Sequence, residues 1–400
     1  MSPPRILLTT TMHWPSAARL ASAFAGVGCT VEALLPLRHV ANKSRFVAAV
    51  HDYDPMFPAR SLNKAVRRAE PDLVVPCDDR ALSHLLRIDN PALLERSLGR
   101  VESYPALVSR CDLIAEARAL GIPAPQTIQV PREADLEGAL VQIGLPAVLK
   151  VDGSWGGDGV AVVRNLEQAR AAWQRLAVTP SPLRSVARAM LRRDAHFLRD
   201  ALNPQEITVS LQRYVPGTPA TSAFACHRGQ MLASIHMDVL EVQHANGPAT
   251  VMRRADCPDM AAAAERLAAR FGLSGLHGLD FIRDATGRAH LIEMNPRATQ
   301  TAAFAFGPGQ DLAAALAATV SPVIRGPRPV LTENPVIALF PQEWRRDPAS
   351  AWLHCAYADV PWDDPAVLRA CLEPGEPAPE RRTERRAPVA ALTVRQAVGL

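Results

Sequence analysis

The stretch "HGLDFIRDATGRAHLIEMNPR", residues 277–297, decides how this chain is read. Two apolar runs flank a turn-forming segment, the pattern of a β-hairpin. With the turn centred on Thr286–Gly287, Asp280 lies directly opposite Glu293, their Cβ atoms about 4.5–5.5 Å apart. Glu293 and Asn295, two apart on one strand, share a face at about 6–7 Å. Like charges opposed across a ladder destabilise it unless a cation sits between them. A solvated pair on an exposed face is the plainer alternative, and it is weakened by Leu279, Phe281, Leu291 and Ile292 around the acids. Two carboxylates and an amide oxygen suit Mg²⁺ or Mn²⁺ with places left for phosphate oxygens. The pairing depends on an even loop; a bulged three-residue turn would instead set Ile292 opposite Asp280.

Upstream lies "VLKVDGSWGGDGVAVV", residues 148–163, with four glycines and Trp155 between Gly153 and Gly159 and Lys150 just before them. Glycines let backbone N–H groups curl around phosphate oxygens, and a lysine adds a point charge. There is no G-K-[ST], and the loop joins two strands, so it is not a Walker A loop. Alone it reads equally as a flexible turn or a phosphate cover. Paired with the acidic hairpin downstream, it reads as the cover.

Composition narrows the classes. The chain has 400 residues, enough for two or three domains. Apolar residues make 48% and charged residues 21%, as in globular proteins. With 44 basic and 40 acidic side chains, a net charge of +4 gives no field that calls for nucleic acid. Seven scattered cysteines without a C-x-x-C pair fit reduced thiols better than disulfides or zinc. No run approaches the ~20 apolar residues of a membrane span, and no leader cleavage site is visible, so a cytoplasmic location is expected.

Along the chain, residues 1–105 alternate strands (5–10, 30–36, 72–76) with helices (16–27, 80–88), which predicts a parallel sheet covered by helices. The first strand-to-helix turn has no G-x-G-x-x-G, which disfavours a dinucleotide site. Thr9–Thr11 and Cys77–Arg80 stand at strand ends, where they would cap helices (Asp79 as an N-cap) or reach a substrate. A helix opens at Ser109 and stops at Gly121–Pro123. Strands at 126–130, 146–151 and 160–163 and helices at 133–143 and 165–176 follow. An amphipathic helix is expected at 183–201, its Arg184, Arg188 and Arg192 stacked on a solvated face. From 206 the period becomes two, with antiparallel strands to about 254 and a helix at 258–271. Beyond 325 the chain is Pro-rich, with Phe340, Trp344, Trp352 and Trp362 as aromatic anchors. A disordered tail is expected from about 374.

Together with "LQRYVPG" at 211–217, the lysine and glycines of 150–159 and the "LDF…LIEMNPR" hairpin ending at Arg297, the chain resembles the ATP-grasp superfamily. The branch it is similar to holds carboxylate–amine ligases, biotin carboxylase and the carbamoyl-phosphate synthase large subunit. The resemblance implies an α/β chain of the α+β ATP-grasp type: a parallel domain over 1–105, a two-lobed ATP-grasp domain with antiparallel sheets over 106–325 whose mobile lobe spans about 125–215, and an extension over 326–400. It further implies ATP and Mg²⁺ (or Mn²⁺) as cofactors. Lys150 would meet ATP phosphates or the adenine edge, and Gly153, Ser154, Trp155, Gly156, Gly157, Asp158 and Gly159 would fold over the β- and γ-phosphates. Gln212, Arg213, Tyr214 and Val215 would border adenine. Asp280, Glu293 and Asn295 would hold metal, and Arg297 would offset charge on the transferred phosphoryl group.

Two departures stand out. Arg110 replaces a phosphate-binding lysine, and Gln212 and Arg213 replace acidic residues of the adenine linker. The reaction implied is activation of a small-molecule carboxylate as an acyl phosphate for attack by an amine, without nucleic acid or membrane; homo-oligomerisation is left open. Carboxyphosphate chemistry and a non-catalytic nucleotide-binding role are the rivals. Specificity would come from the N-terminal strand ends, residues 217–250 and positions past Arg297 such as Thr299 and Gln300.

Overall fold

A computed structural model describes residues 2–152, 159–177 and 207–373. The expected helix at 183–201, residues Gly153–Asp158 of the glycine run and the tail from 374 lie outside the described residues.

The N-terminal sheet contains β1 (Arg5–Thr9), β2 (Thr30–Leu35), β3 (Ala49–Asp52) and β4 (Leu73–Pro76), all parallel in the order β3-β2-β1-β4. Its helices are α1 (Ser16–Gly26), α2 (Pro58–Ala69), α3 (Asp79–Leu85) and α4 (Pro91–Leu98). The unbroken apolar run of β1 follows from its central place. Ile6 and Leu8 pack with Phe24 of α1 on one face, while Leu7 packs with Leu62 of α2 and Leu82 of α3 on the other. At the end of β4 the cap of α3 is Asp78 rather than Asp79. Asp78 accepts from Ala81 N at 2.8 Å, from Thr10 Oγ1 at 2.8 Å and from Thr11 Oγ1 at 2.9 Å. Thr10 and Thr11 are thus spent on holding a cap, the plainer of their two readings.

The chain then passes through α5 (Tyr104–Val108) and α6 (Arg110–Ala119) into a small antiparallel sheet. This holds β5 (Thr127–Gln129), β6 (Ala147–Val151), β7 (Val160–Val163) and β8 (Val209–Arg213), in the order β5-β8-β6-β7. Helices α7 (Leu136–Ile143) and α8 (Leu166–Leu176) cover one face, where Leu149, Val163, Val209 and Leu211 form an apolar cluster. The alternation in β8 is one of residue type, not of exposure. Ser210 and Gln212 on its other face are fully buried too, beside Lys150 of β6.

The large sheet runs β13-β12-β9-β10-β11-β14-β15. Its strands are β9 (Thr218–His227), β10 (Gln230–Val242), β11 (Ala249–Arg254), β12 (Gly275–Arg283), β13 (Ala289–Asn295), β14 (Val336–Ala338) and β15 (Tyr357–Ala358). Helix α9 (Pro258–Phe271) packs on one face, and α10 (Leu312–Ala317) with α1 lies against the other. The segment past 325 therefore does more than wrap over its neighbour: β14 pairs with β11, Val251 against Ala338. Trp352 is buried with Val251 and Val336, and Trp344 lies tilted against Phe340 with ring centroids 6.3 Å apart. Trp362 is 73% exposed and anchors nothing, contrary to expectation. Arg19 of α1 ion-pairs Asp359, and Ser44 donates to Asp364 at 2.6 Å, clasping this segment to the N-terminal sheet.

The hairpin reaches the expected pairing by another route. Arg283 pairs Ala289, so the loop Asp284–Arg288 is odd in length and would by itself misplace the acids. A β-bulge at Ile292 inserts one residue and restores the register, so Asp280 opposes Glu293.

Gly99, at φ +79°, ends α4 and bridges to Leu273 just before β12. A Cβ there would sit 2.2 Å from Gly272 O and 2.7 Å from Ser274 N. Both strain and clash act, so Gly99→Ala costs about 2–4 kcal/mol. A lower urea midpoint at unchanged m value is the expected result; an unchanged midpoint would show that this join yields freely.

Candidate active site

The site lies where the polar face of the small sheet meets the hairpin of the large one. Lys150 comes from β6, with a side chain that is nearly fully buried. Arg110 is the first residue of α6, whose N-cap Ser109 accepts from Asp112 N at 3.3 Å. From there its guanidinium reaches both sheets, donating to Asp152 Oδ1 at 2.7 Å and to Glu293 Oε1 at 3.1 Å. Asp152 directly follows β6 and so joins the small sheet to this network.

On the hairpin, Asp280, Glu293 and Asn295 share one face. Asn295 donates from Nδ2 to Asp280 Oδ2 at 2.9 Å and accepts at Oδ1 from Arg297 at 2.9 Å. Arg297 is in turn held by Asp79 through two bonds, Nε to Oδ1 at 3.1 Å and a terminal nitrogen to Oδ2 at 3.3 Å. Asp79 is free for this because Asp78 takes the cap of α3.

Charge states follow from burial and neighbours. Burial, reinforced by the Arg110 charge, pushes the Lys150 amine down to about 8, against the pull of Glu293, Asp280 and Asp152. Burial raises the Asp280 carboxyl and the facing Glu293 raises it further, while hydrogen bonds from Thr221 and Asn295 oppose the rise. Burial raises Asp152 as well, with Arg110 opposing. Burial disfavours the charge of Arg297, but Asp79, Asp78 and Asp280 outweigh it and raise its pKa. A buried acid facing a second acid across one ladder step is a place that favours a cation. Among the described residues no group of three or more His, Cys, Asp or Glu side chains could hold a metal. The donors present are two carboxylates, with the Asn295 oxygen held by Arg297 beside them; the carboxylates fit a hard cation that fills its shell with oxygens from a ligand or water.

The remaining expected residues fall in two places. Gly159 leads into β7, its carbonyl accepting from Val151 N at 2.9 Å; Gly153, Ser154, Trp155, Gly156, Gly157 and Asp158 lie outside the described residues. Gln212 is buried and donates to Thr127 Oγ1 at 2.9 Å, so its amide is engaged with β5. Arg213 and Tyr214 are exposed. Arg213 and Val215 line a cavity of about 510 Å³ beside the hairpin turn. The sequence reading missed Asp152 and Thr221, and it gave Asp79 the cap that Asp78 takes. The pair Asp78–Asp79 was the available signal, since one carboxylate can cap a helix and the other is left for a cation.

Lys150 gives this arrangement a pH signature. An unfolded lysine titrates near ~10.4, well above the folded value of about 8. Below the folded value both states are charged and folding bears the full cost of burying the ammonium. Between the two values the unfolded chain binds the extra proton, so stability rises with pH and the cost is gone above ~10.4. Unfolding free energies of the protein and of Lys150→Met, measured by urea from about pH 7.5 to 10.5, should therefore diverge in favour of the wild type, by on the order of 3 kcal/mol. Parallel curves would mean that Lys150 titrates as an ordinary lysine.

Comparison with known proteins agrees with this geometry. The family model for the ATP-grasp domain matches residues 118–301. No curated protein sequence matches the chain. Among solved structures, the N5-carboxyaminoimidazole ribonucleotide synthetase of Thermus thermophilus is similar at 17% identity and TM-score 0.56, over 81% of each chain. The carboxyaminoimidazole ribonucleotide synthase of Aspergillus clavatus, complexed with ATP, aligns at 12% identity and TM-score 0.54, over 79% of this chain and 77% of that one. The biotin carboxylase domain of 2-oxoglutarate carboxylase from Hydrogenobacter thermophilus, in complex with MgADP, ADP and bicarbonate, aligns at 13% identity and TM-score 0.54. That match covers 75% of this chain but only 65% of the carboxylase chain. At such identities the structural likeness concerns the fold. Residues 118–301, which carry the small sheet, the linker and the acidic hairpin, match the ATP-grasp domain family.

Proposed function

We propose that this protein is an ATP-dependent ligase, using Mg²⁺ or Mn²⁺, that activates a small-molecule carboxylate as an acyl phosphate and passes it to an amine. One observation carries the reading. Two cations, Lys150 and Arg110, face Asp280 and Glu293 across the meeting of two sheets, and Arg297 stands at the end of the same row. Asp280, Glu293 and Asn295 would hold the divalent cation, which when bound offsets charge on the nucleotide phosphates.

The chain's own residues supply the rest. Lys150 and Arg110 bind phosphate oxygens. Arg297 offsets charge that accumulates as the γ-phosphoryl group moves to the carboxylate oxygen. Asp79 holds the Arg297 guanidinium in its plane. The run Gly153–Gly159 is assigned to cover the phosphates and exclude water, with Gln212–Val215 bordering the base. ADP leaves, the amine attacks the acyl carbon, and phosphate departs as the amide forms. The parallel domain 1–105, the ATP-grasp domain 106–325 with its lobe at about 125–215, and the segment from 326 are the units of this proposal. So are a cytoplasmic location and homo-oligomerisation; no described helix is long and apolar enough to cross a membrane.

A second reading is carboxyphosphate chemistry, with bicarbonate as the activated acid. It is favoured by the likeness to a carboxylase domain bound to MgADP and bicarbonate. ADP release across pooled carboxylic acids and amino acids, with hydroxylamine as acyl trap, tests the first reading; release driven by bicarbonate alone selects the second. Lys150→Ala and Glu293→Ala should each lower ATP turnover by at least ~10²–10³-fold. An undiminished rate in either variant removes that residue from the mechanism.

A further inference from the structure

The small sheet joins the rest of the molecule through two chain connections, 120–126 before β5 and 214–217 after β8. Between them and the tip of the β12–β13 hairpin lies the cavity of about 510 Å³. Its charged lining is one-sided. Arg118 from α6, Arg213 from the end of β8 and Arg288 from the hairpin loop face it, with His290 of β13 beside them, and no carboxylate does. Among the described residues, no side chain ion-pairs or hydrogen-bonds the guanidiniums of Arg118, Arg213 or Arg288.

Two acids close in sequence to these arginines are engaged elsewhere. Glu116 takes Arg270 at 3.0 Å, and Asp284 takes His290 at 2.8 Å as well as the Thr286 hydroxyl. A fourth cation, Arg266, donates to Leu120 O at 3.2 Å beside the first connection. Lys150, Arg110, Asp280, Glu293 and Arg297 do not line this cavity, whereas Arg213 and Val215, assigned above to border the base, do.

Gathered guanidiniums without counter-charge repel one another, and a shared anion offsets that cost. Arginine presents paired N–H donors that match phosphate oxygens two at a time. The volume lies within the range of small-molecule sites, about 300–1,000 Å³. We propose that this cavity is a second ligand site, for a small phosphate-bearing metabolite, adjoining the residues assigned to the base but distinct from the phosphate and metal groups of the nucleotide site. The three arginines sit on three elements, one of them on the small sheet and two outside it. A ligand that engages all three ties the small sheet to the hairpin that carries Asp280 and Glu293, and so couples its own binding to the setting of the nucleotide cleft.

Isothermal titration of the full chain with inorganic pyrophosphate tests the site, free and with saturating ADP at the same Mg²⁺ concentration. One pyrophosphate should bind in the ADP-saturated protein. Arg118→Gln and Arg288→Gln should each weaken it at least ~tenfold while leaving ADP affinity unchanged. Both side chains are exposed, so the thermal midpoint of each variant should equal that of the wild type and separate loss of binding from loss of fold. Pyrophosphate binding that vanishes when ADP is present would make the cavity part of the nucleotide's own site and overturn the proposal. Absent binding, or equal affinity in the two variants, would overturn it as well. Failure of ADP itself to bind would instead count against the ligase reading, which this cavity does not need.

Discussion

The meeting of the two antiparallel sheets depends on opposite charges set face to face. Alone, the hairpin would place Asp280 against Glu293, and the small sheet with α6 would place Lys150 beside Arg110. Each half is a like-charge pair in a partly dry setting, where the repulsion is stronger than in water. Brought together, each pair becomes the other's counter-charge, and Arg110 spans the join through Asp152 and Glu293. The same logic explains why the site suits a metal–nucleotide pair on the proposed reading. Phosphate oxygens can take over the cations while a divalent ion takes over the acids, so neither half is left uncompensated.

How far the sequence disclosed this depends on the element. The hairpin and its acids were legible because period-two alternation and a turn-forming segment are local signals. The bulge was not inferred, although the doublet Leu291–Ile292 breaks the alternation where the extra residue sits. An assumed even loop and an actual odd loop plus bulge end in the same register, so the right pairing stood on incomplete grounds. The parallel sheet was legible in β1, β2 and β4, which are apolar on both faces. Its edge strand β3, "AVHD", is short and exposed and carries no such run.

Other features needed tertiary context. Strand β14 is three residues long within a Pro-rich region, and only its ladders to β11 and β15 mark it as sheet. Trp352 and Trp362 look alike in sequence, yet one fills a core and the other faces solvent, because only Trp352 lies over Val251 and Val336. Charge networks are harder still. Nothing local tells that Arg110 reaches a residue more than 180 positions away, or that Gln212 spends its amide on Thr127.

The bond between Asp79 and Arg297 shows how the N-terminal sheet enters the site. Arg297 ends the acidic hairpin, but its guanidinium is oriented by a carboxylate on the first turn of α3, across a separation of 218 residues. That carboxylate is placed by Asp78, which Thr10 and Thr11 lock at the C-terminal end of β1. In an open parallel sheet this edge, between strands whose connections run opposite ways, is where ligands settle. The order β3-β2-β1-β4 puts that point between β1 and β4, beside Thr9–Thr11 and Asp78–Asp79. A substrate resting there would meet Arg297, to which the proposed reading gives the transferring group. On the proposed reading, the N-terminal sheet and the acidic hairpin are thus joined where an acceptor carboxylate would meet the phosphoryl donor.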